Sequence, residues 1–306
     1  MNKKVVIGSR ESKLAVLQSQ MVKDYIVCRH PQMDVEILTM KTTGDKILDR
    51  TLDKIGGKGL FVKELDRALL EGRSQLSVHS LKDMPTVLPE GLCLTAITER
   101  ANVGDAFVSN KYGSFEELPL GAVVGTSSLR RKAQLLAKRP DLEIRDLRGN
   151  VDTRLRKLDE GLYDAIILAA AGLERLGHGD RISSLISADV CLPAVGQGAL
   201  AIEARTEDKE VRDMLSFLND LNTKQATDAE RAFLGLLEGG CQVPIGVHAD
   251  VDGENIRIEA IIAALDGSTI LRDTINGKAD DAVSLGQQLG KKMLAAGGQE
   301  ILASIL

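Results

Sequence analysis

AVVGTSSLRRKAQLLAKRPDLEIRDLRGNVDTRLRKLDEGLYDAIILAAA, residues 122–171, carries the pattern that sets the fold. An apolar run over 122–125 ends in Thr126, Ser127 and Ser128 and opens a helix-length amphipathic segment over 129–138. Residues 142–147 form a second short run, 150–160 a second helix, and 165–171 a third run. Short strands alternating with helices imply a mainly parallel sheet covered on both faces. The same rhythm fills the first hundred residues: strands over 5–8, 35–40, 76–80 and 92–97, with helices over 12–29 and 60–71. The fold class expected is therefore α/β, with ligands beyond the C-terminal ends of the strands.

Between these series, 98–121 lacks a long period and reads as a crossover, and CLPAVGQGALAIEA (191–204) reads as the return. The organisation expected is two discontinuous lobes flanking a cleft, 1–98 plus 198–218 and 99–197, followed by a third domain over 219–306. That last region differs in kind. Strand-like runs over 244–252, 255–265 and 268–276 are joined by Asp252-Gly253 and Asp266-Gly267, both hairpin signals. A helix over 279–297 would cover one face, giving a small α+β domain with a three-stranded antiparallel sheet.

A chain of 306 residues is too long for one ordinary core. With 43% hydrophobic and 27% charged residues it reads as soluble and globular. No apolar run is long enough to span a bilayer, and the N-terminus lacks the features of a signal peptide, so a cytoplasmic protein without membrane contact is expected. Cys28, Cys93, Cys191 and Cys241 are widely separated and the four histidines are scattered, which argues against a disulfide framework and against any metal site. The net charge is −5, yet ten Lys/Arg stand against four acids between Arg130 and Lys157. A local anion site within an acidic protein follows. Three Tyr, five Phe and no Trp leave few stacking platforms for nucleic acid, which is not expected as a partner.

Four constellations could carry chemistry. VHSLKDMP (78–85) places Ser80, Lys82 and Asp83 at a strand's C-terminal mouth, where a carboxylate can serve as acid, base or cation stabiliser; the alternative is a surface turn in which Asp83 pairs locally. GTSSLRRKAQ (125–134) opens a helix with hydroxyls and two arginines, a cradle for carboxylates or phosphates, or simple N-capping with solvated arginines. LRGNVDTRLRKL (147–158) repeats that logic with Arg148, Arg154 and Arg156 around a start capped by Asn150. EGGCQVPIG (238–246) frees the backbone to expose Cys241 as nucleophile or attachment point, against the alternative of a small buried hydrophobe in a tight turn. Segment 42–59, with charges and three glycines, reads as a mobile lid or a solvated connector. His79 reads as structural, and Phe61 as core-facing or bordering the cleft.

Taken together, VHSLKDMP, GGKGLFVKEL (56–65), VGTSSLRR (124–131), LRGNVDTRL (147–155), LPAVGQGAL (192–200), EGGCQVPIG and the opening GSRES (8–12) with Leu14 and Gln18 resemble the porphobilinogen deaminase family along essentially the whole chain. The resemblance implies two lobes of type II periplasmic-binding-protein topology and a third domain bearing a cofactor cysteine. It implies that Cys241 holds a dipyrromethane through a thioether, and that four porphobilinogen molecules are joined to it, with loss of ammonia, as hydroxymethylbilane. Asp83 would contact the pyrrole nitrogens and assist both ammonia loss and proton removal. Arg10, Ser12, Ser80, Lys82, Thr126, Ser128, Arg130, Arg131, Arg148, Arg154 and Arg175 would hold acetate and propionate groups. Lys54, Lys58 and Phe61 would belong to the cleft and its cover, and Gln197 to a hinge. A monomer is implied. Two rival readings are a non-catalytic two-lobed anion sensor, which gives Asp83 and Cys241 no task, and another acyl- or phosphate-handling transferase on an α/β scaffold.

Overall fold

The computed structural model describes residues 4–46, 61–237 and 243–305. In chain order the strands are β1 (Lys4–Arg10), β2 (Asp34–Met40), β3 (Leu76–Ser80), β4 (Leu92–Ile97), β5 (Asp105–Val108), β6 (Val123–Gly125), β7 (Glu143–Arg145), β8 (Ala165–Ala169), β9 (Ser184–Ile186), β10 (Leu200–Arg205), β11 (Ile245–Asp252), β12 (Asn255–Ala263) and β13 (Ile270–Lys278). The helices are α1 (Lys13–Arg29), α2 (Thr43–Lys46), α3 (Lys63–Leu70), α4 (Leu129–Lys138), α5 (Val151–Asp159), α6 (Ala170–Arg175), α7 (Lys209–Leu215), α8 (Leu221–Leu236), α9 (Ala282–Met293) and α10 (Gln299–Ala303). They fall into two compact units: described residues 4–46, 61–101 and 199–224, and described residues 102–198 and 225–305.

The first unit is built on a sheet of order β2-β1-β3-β10-β4, with β1 parallel to β2 and β3, and β10 antiparallel to β3 and β4. α1 packs on it because Ala15, Gln18, Ser19, Val22 and Ile26 recur at three- and four-residue spacing and form one buried stripe. That stripe meets Val5, Ile7, Val35, Leu76 and Val78 of the strands. Ser12 starts the helix by accepting the Ala15 amide at its side chain.

The second unit repeats the order as β7-β6-β8-β5-β9, with β6 parallel to β7 and β8, and β5 antiparallel to β8 and β9. Each sheet thus inserts one antiparallel strand from a crossover segment, the type II arrangement that the resemblance implies. β5 and β9 lie in stretches where the sequence shows no period. β5 has four residues, all buried, so neither alternation nor length marks it as a strand.

A three-stranded antiparallel sheet, β11-β12-β13, completes the second unit. Its Asp252-Gly253 signal is realised as a loop in which Gly253 takes φ 57°, a conformation open to glycine at little cost. Phe233 of α8 and Leu289 and Met293 of α9 pack with Val247, Ile256 and Ile258 in its core. The single helix expected over 279–297 is instead α9, a kink at Gly297 with φ 107°, and α10. Ala133 and Leu192 share a core cluster with Ile261 and Ala263, and buried Glu230 accepts the Gly196 and Ala249 amides, so residues after 225 close onto 102–198 as one unit. Among the described residues no helix is long and apolar enough to cross a membrane.

Candidate functional site

β3 ends at Ser80 and passes into a single 3-10 turn, Leu81–Asp83. Leu81 is buried and its amide donates to the Ala199 carbonyl at 3.0 Å, which ties the turn to the strand edge. Lys82 and Asp83 are thereby left half-buried beyond the strand's C-terminal end. A small recess there is lined by Arg10, Ser12, Gln18, Phe61, His79, Ser80 and Asp83, with apolar walls from Leu14, Ala15, Val62 and Val78. Five residues singled out in the sequence, Arg10, Ser12, Phe61, Ser80 and Asp83, therefore meet. The Arg10 guanidinium lies 4.3 Å from the centre of the Phe61 ring, a cation–π contact that holds its fork in place. Gln18, only 2% exposed, exchanges hydrogen bonds with the Ser80 hydroxyl.

His79 is structural in the way the sequence suggests, and more is built around it. Its Nε2 lies 3.1 Å from Glu203 Oε2, and both side chains are buried. Asp66, on the buried face of α3, joins them. Burial, then the neighbouring Glu203 charge, push the Asp66 carboxyl up to about 7. Neither carboxylate was legible as a site residue. The available signal was an acid in each of two apolar runs, beside Leu65 in α3 and beside Ile202 in β10.

In the second unit the two helix starts stand side by side, because the Ser127 hydroxyl donates to the Leu147 carbonyl and accepts the Leu147 amide, both at 3.0 Å. Ser128 caps α4 and Asn150 caps α5. Buried Thr126 accepts the Ser128 amide. Arg148 is half-buried, and its Nε is enclosed with no acceptor among the described residues. Arg154 donates to the Gly149 carbonyl, made accessible by Gly149 at φ 110°, and Arg175 donates to the Gly198 carbonyl. Arg156 is exposed and pairs with Glu160.

Arg130 and Arg131, read from the sequence as part of an anion cradle or as solvated, are buried. Both turn inward onto Asp105, which is fully buried: Arg130 Nη1 lies 2.7 Å from Oδ2, and Arg131 Nη2 and Nε lie 2.6 and 3.0 Å from Oδ1. They do so because positions 130, 131, 134 and 135 share the buried stripe of α4. Burial alone would raise the Asp105 carboxyl; the two guanidiniums overcome it and hold it well below the usual carboxylate range. Gln197 completes the cluster by donating to Asp105 Oδ1 and to the Val103 carbonyl, so it links the two segments beside the crossovers. Asp105 escaped notice in the sequence because its strand did. Cys241, Lys54 and Lys58 lie outside the described residues.

Two family models match the chain: "Porphobilinogen deaminase, dipyromethane cofactor binding domain" over residues 5–213, and "Porphobilinogen deaminase, C-terminal domain" over residues 224–295. A porphobilinogen deaminase of Nitrosomonas europaea is 51% identical over 303 residues, covering 99% of this chain and 98% of the relative. One of Geobacter sulfurreducens is 51% identical over 299 residues, covering 98% and 94%. Among solved structures, the methionine-binding protein MetQ aligns at 14% identity with a TM-score of 0.46, over 73% of this chain and 90% of its own.

Proposed function

This chain belongs to the porphobilinogen deaminase family, and on that premise we propose that it joins four porphobilinogen molecules head to tail, with loss of ammonia, into hydroxymethylbilane, acting as a cytoplasmic monomer primed by a dipyrromethane on Cys241. The observation that carries the assignment of the acid is Asp83 beyond the end of β3, in one recess with Arg10, Ser12 and Ser80.

The residues present fit a carboxylate-rich pyrrole. The enclosed Arg148 Nε, with no acceptor among the described residues, is the kind of orphan donor that an acetate or propionate oxygen would satisfy. Arg10, Ser12, Ser80, Lys82, Thr126, Ser128, Arg148, Arg154 and Arg175 would hold acetate and propionate groups of the cofactor and substrate. Arg130 and Arg131 act through their balance with Asp105, since two guanidiniums against one carboxylate leave positive charge at the start of α4. When bound, the dipyrromethane supplies the free pyrrole α-position from which the product grows.

Asp83 does the proton work. As ammonia leaves the aminomethyl carbon of porphobilinogen, positive charge develops on the pyrrole, and a fixed carboxylate offsets it without reorganisation. After the new carbon–carbon bond forms, the same carboxylate takes the α-proton and the ring regains aromaticity. Arg10, stacked on Phe61, anchors the substrate's acidic arm so that the ring presents its nitrogen to Asp83.

Intact mass tests this reading. The purified protein should exceed its sequence mass by two porphobilinogen units less two ammonia, Cys241→Ser should lose that increment, and brief incubation with porphobilinogen should add further units stepwise. Protein at its bare sequence mass that stays inert to porphobilinogen after reconstitution would refute it.

A further inference from the structure

His79 stands one residue before Ser80 on β3 and lines the same recess as Arg10 and Asp83. Across the ladder it pairs with Ala201 of β10, the strand that also carries Glu203. Glu203 is fully enclosed, and Asp66 of α3, 6% exposed, lies within hydrogen-bonding reach of it. Each has one oxygen, Asp66 Oδ1 and Glu203 Oε1, buried with no donor among the described residues. Two carboxylates in contact inside a protein cannot both stay ionised at reasonable cost, and one proton between them satisfies both orphan oxygens. Glu203 and His79 are the ionisable groups that act on Asp66, and beyond them His79 shares the recess with Arg10 and Asp83.

We propose that Asp66, Glu203 and His79 form a proton-sharing triad that positions β3, and with it the Asp83 turn, for turnover. This rests on the reading of Asp83 as the acid–base group. The Asp66 carboxyl donates to Glu203 Oε1, Glu203 Oε2 accepts the His79 Nε2–H, and the ring is thereby fixed in one tautomer. α3, β10 and β3 are tied together by side chains that water does not reach. Removing the shared proton sets two negative charges against each other in that interior and loosens the base of the turn.

The direction with pH follows from Asp66, which is raised from 3.8 to about 7 by burial and then by Glu203. A raised carboxyl stabilises the fold fully below its unfolded value, and that contribution is lost as pH climbs through the folded one. The triad is intact in mild acid and fails on the alkaline side.

The test uses cofactor-loaded enzyme. Asp66→Asn keeps a donor to Glu203 that cannot be lost, so kcat at pH 7 should stay within about threefold of wild type, with its alkaline limb moved to higher pH and KM unchanged. Asp66→Leu keeps the shape without the donor, and kcat should fall roughly tenfold because a buried acceptor is left unmade. Superimposable pH–rate profiles for wild type and Asp66→Asn would overturn the triad's role, as would full kcat in Asp66→Leu. Thermal stability is read alongside, without substrate. Asp66→Asn should match wild type at pH 4 and exceed it at pH 8; a gain at pH 8 with no change in the rate profile would reduce the triad to a buried proton and overturn positioning. Wild-type enzyme inert to porphobilinogen would count against the reaction, while the stability comparison would still report on the triad.

Discussion

Asp105→Asn removes one carboxylate from between two buried guanidiniums. Asp105 accepts from Arg130 Nη1, from Arg131 Nε and Nη2, and from Gln197 Nε2, all between 2.6 and 3.0 Å. Arg130 and Arg131 are 5% and 7% exposed, so water cannot take over the lost charge. Breaking a buried pair by removing one partner costs about 3–5 kcal/mol, and here the residual charge rises from one positive to two. For a unit of this size that corresponds to a fall in Tm on the order of 10 °C. Thermal unfolding of both proteins between pH 3 and pH 8 is the assay. The folded value of Asp105 is depressed, so its contribution is present above the unfolded value of 3.8 and is lost as pH falls below it. The gap between wild type and variant should therefore be widest near neutrality and narrow in acid. A gap that is small at pH 7, or that stays constant down to pH 3, would refute the buried charge balance.

Asp83→Asn should keep the covalent increment and the wild-type Tm while kcat falls by about 10²-fold or more, the usual scale for an acid–base group; near-normal turnover would remove Asp83 from the chemistry. Burial pushes the Cys191 thiol up to about 12, whereas Cys28 is exposed. Since the thiolate is the reactive form, a thiol alkylating reagent at pH 8 should label Cys28 first and spare Cys191 in folded protein. Peptide mapping that finds both labelled at the same rate would contradict that burial.

The sequence made the strand–turn–helix units legible because their apolar runs end in residues with strong local preferences. β3 and β4 lie where the runs 76–80 and 92–97 put them, and Ser128 and Asn150 cap the helices that they precede. Local signals fail where an element is short and enclosed, as in β5, whose four buried residues alternate in nothing. They fail again for buried polar groups. Asp66 and Glu203 look like ordinary solvated acids in a one-dimensional reading, and the partner that keeps Glu203 buried, His79, lies 124 positions away. Long-range pairing of this kind has no periodicity to betray it.

The basic stretch 130–157 shows how composition can locate an anion site and still overstate it. Ten cations against four acids suggested a local anion site within an acidic protein. In the fold, Arg130 and Arg131 face Asp105, Arg139 pairs with Asp141, Arg145 with Glu143, and Arg156 with Glu160. Five of the ten are thus matched to carboxylates, two of which, Asp105 and Glu160, lie outside the stretch that was counted. The difference between the two helix starts is one of phase. α4 carries its arginines at positions that share a face with Gln134 and Leu135, so they are drawn inside. α5 buries only Leu155 and Leu158, which leaves Arg148 ahead of the helix and Arg154 on its first turn outside that apolar face. Charge recruited into a core stripe organises the protein; charge left beside a capped helix start is what a carboxylate-bearing ligand can meet. The start of α5, with the unmatched Arg148 Nε, is therefore the stronger anchor of the two.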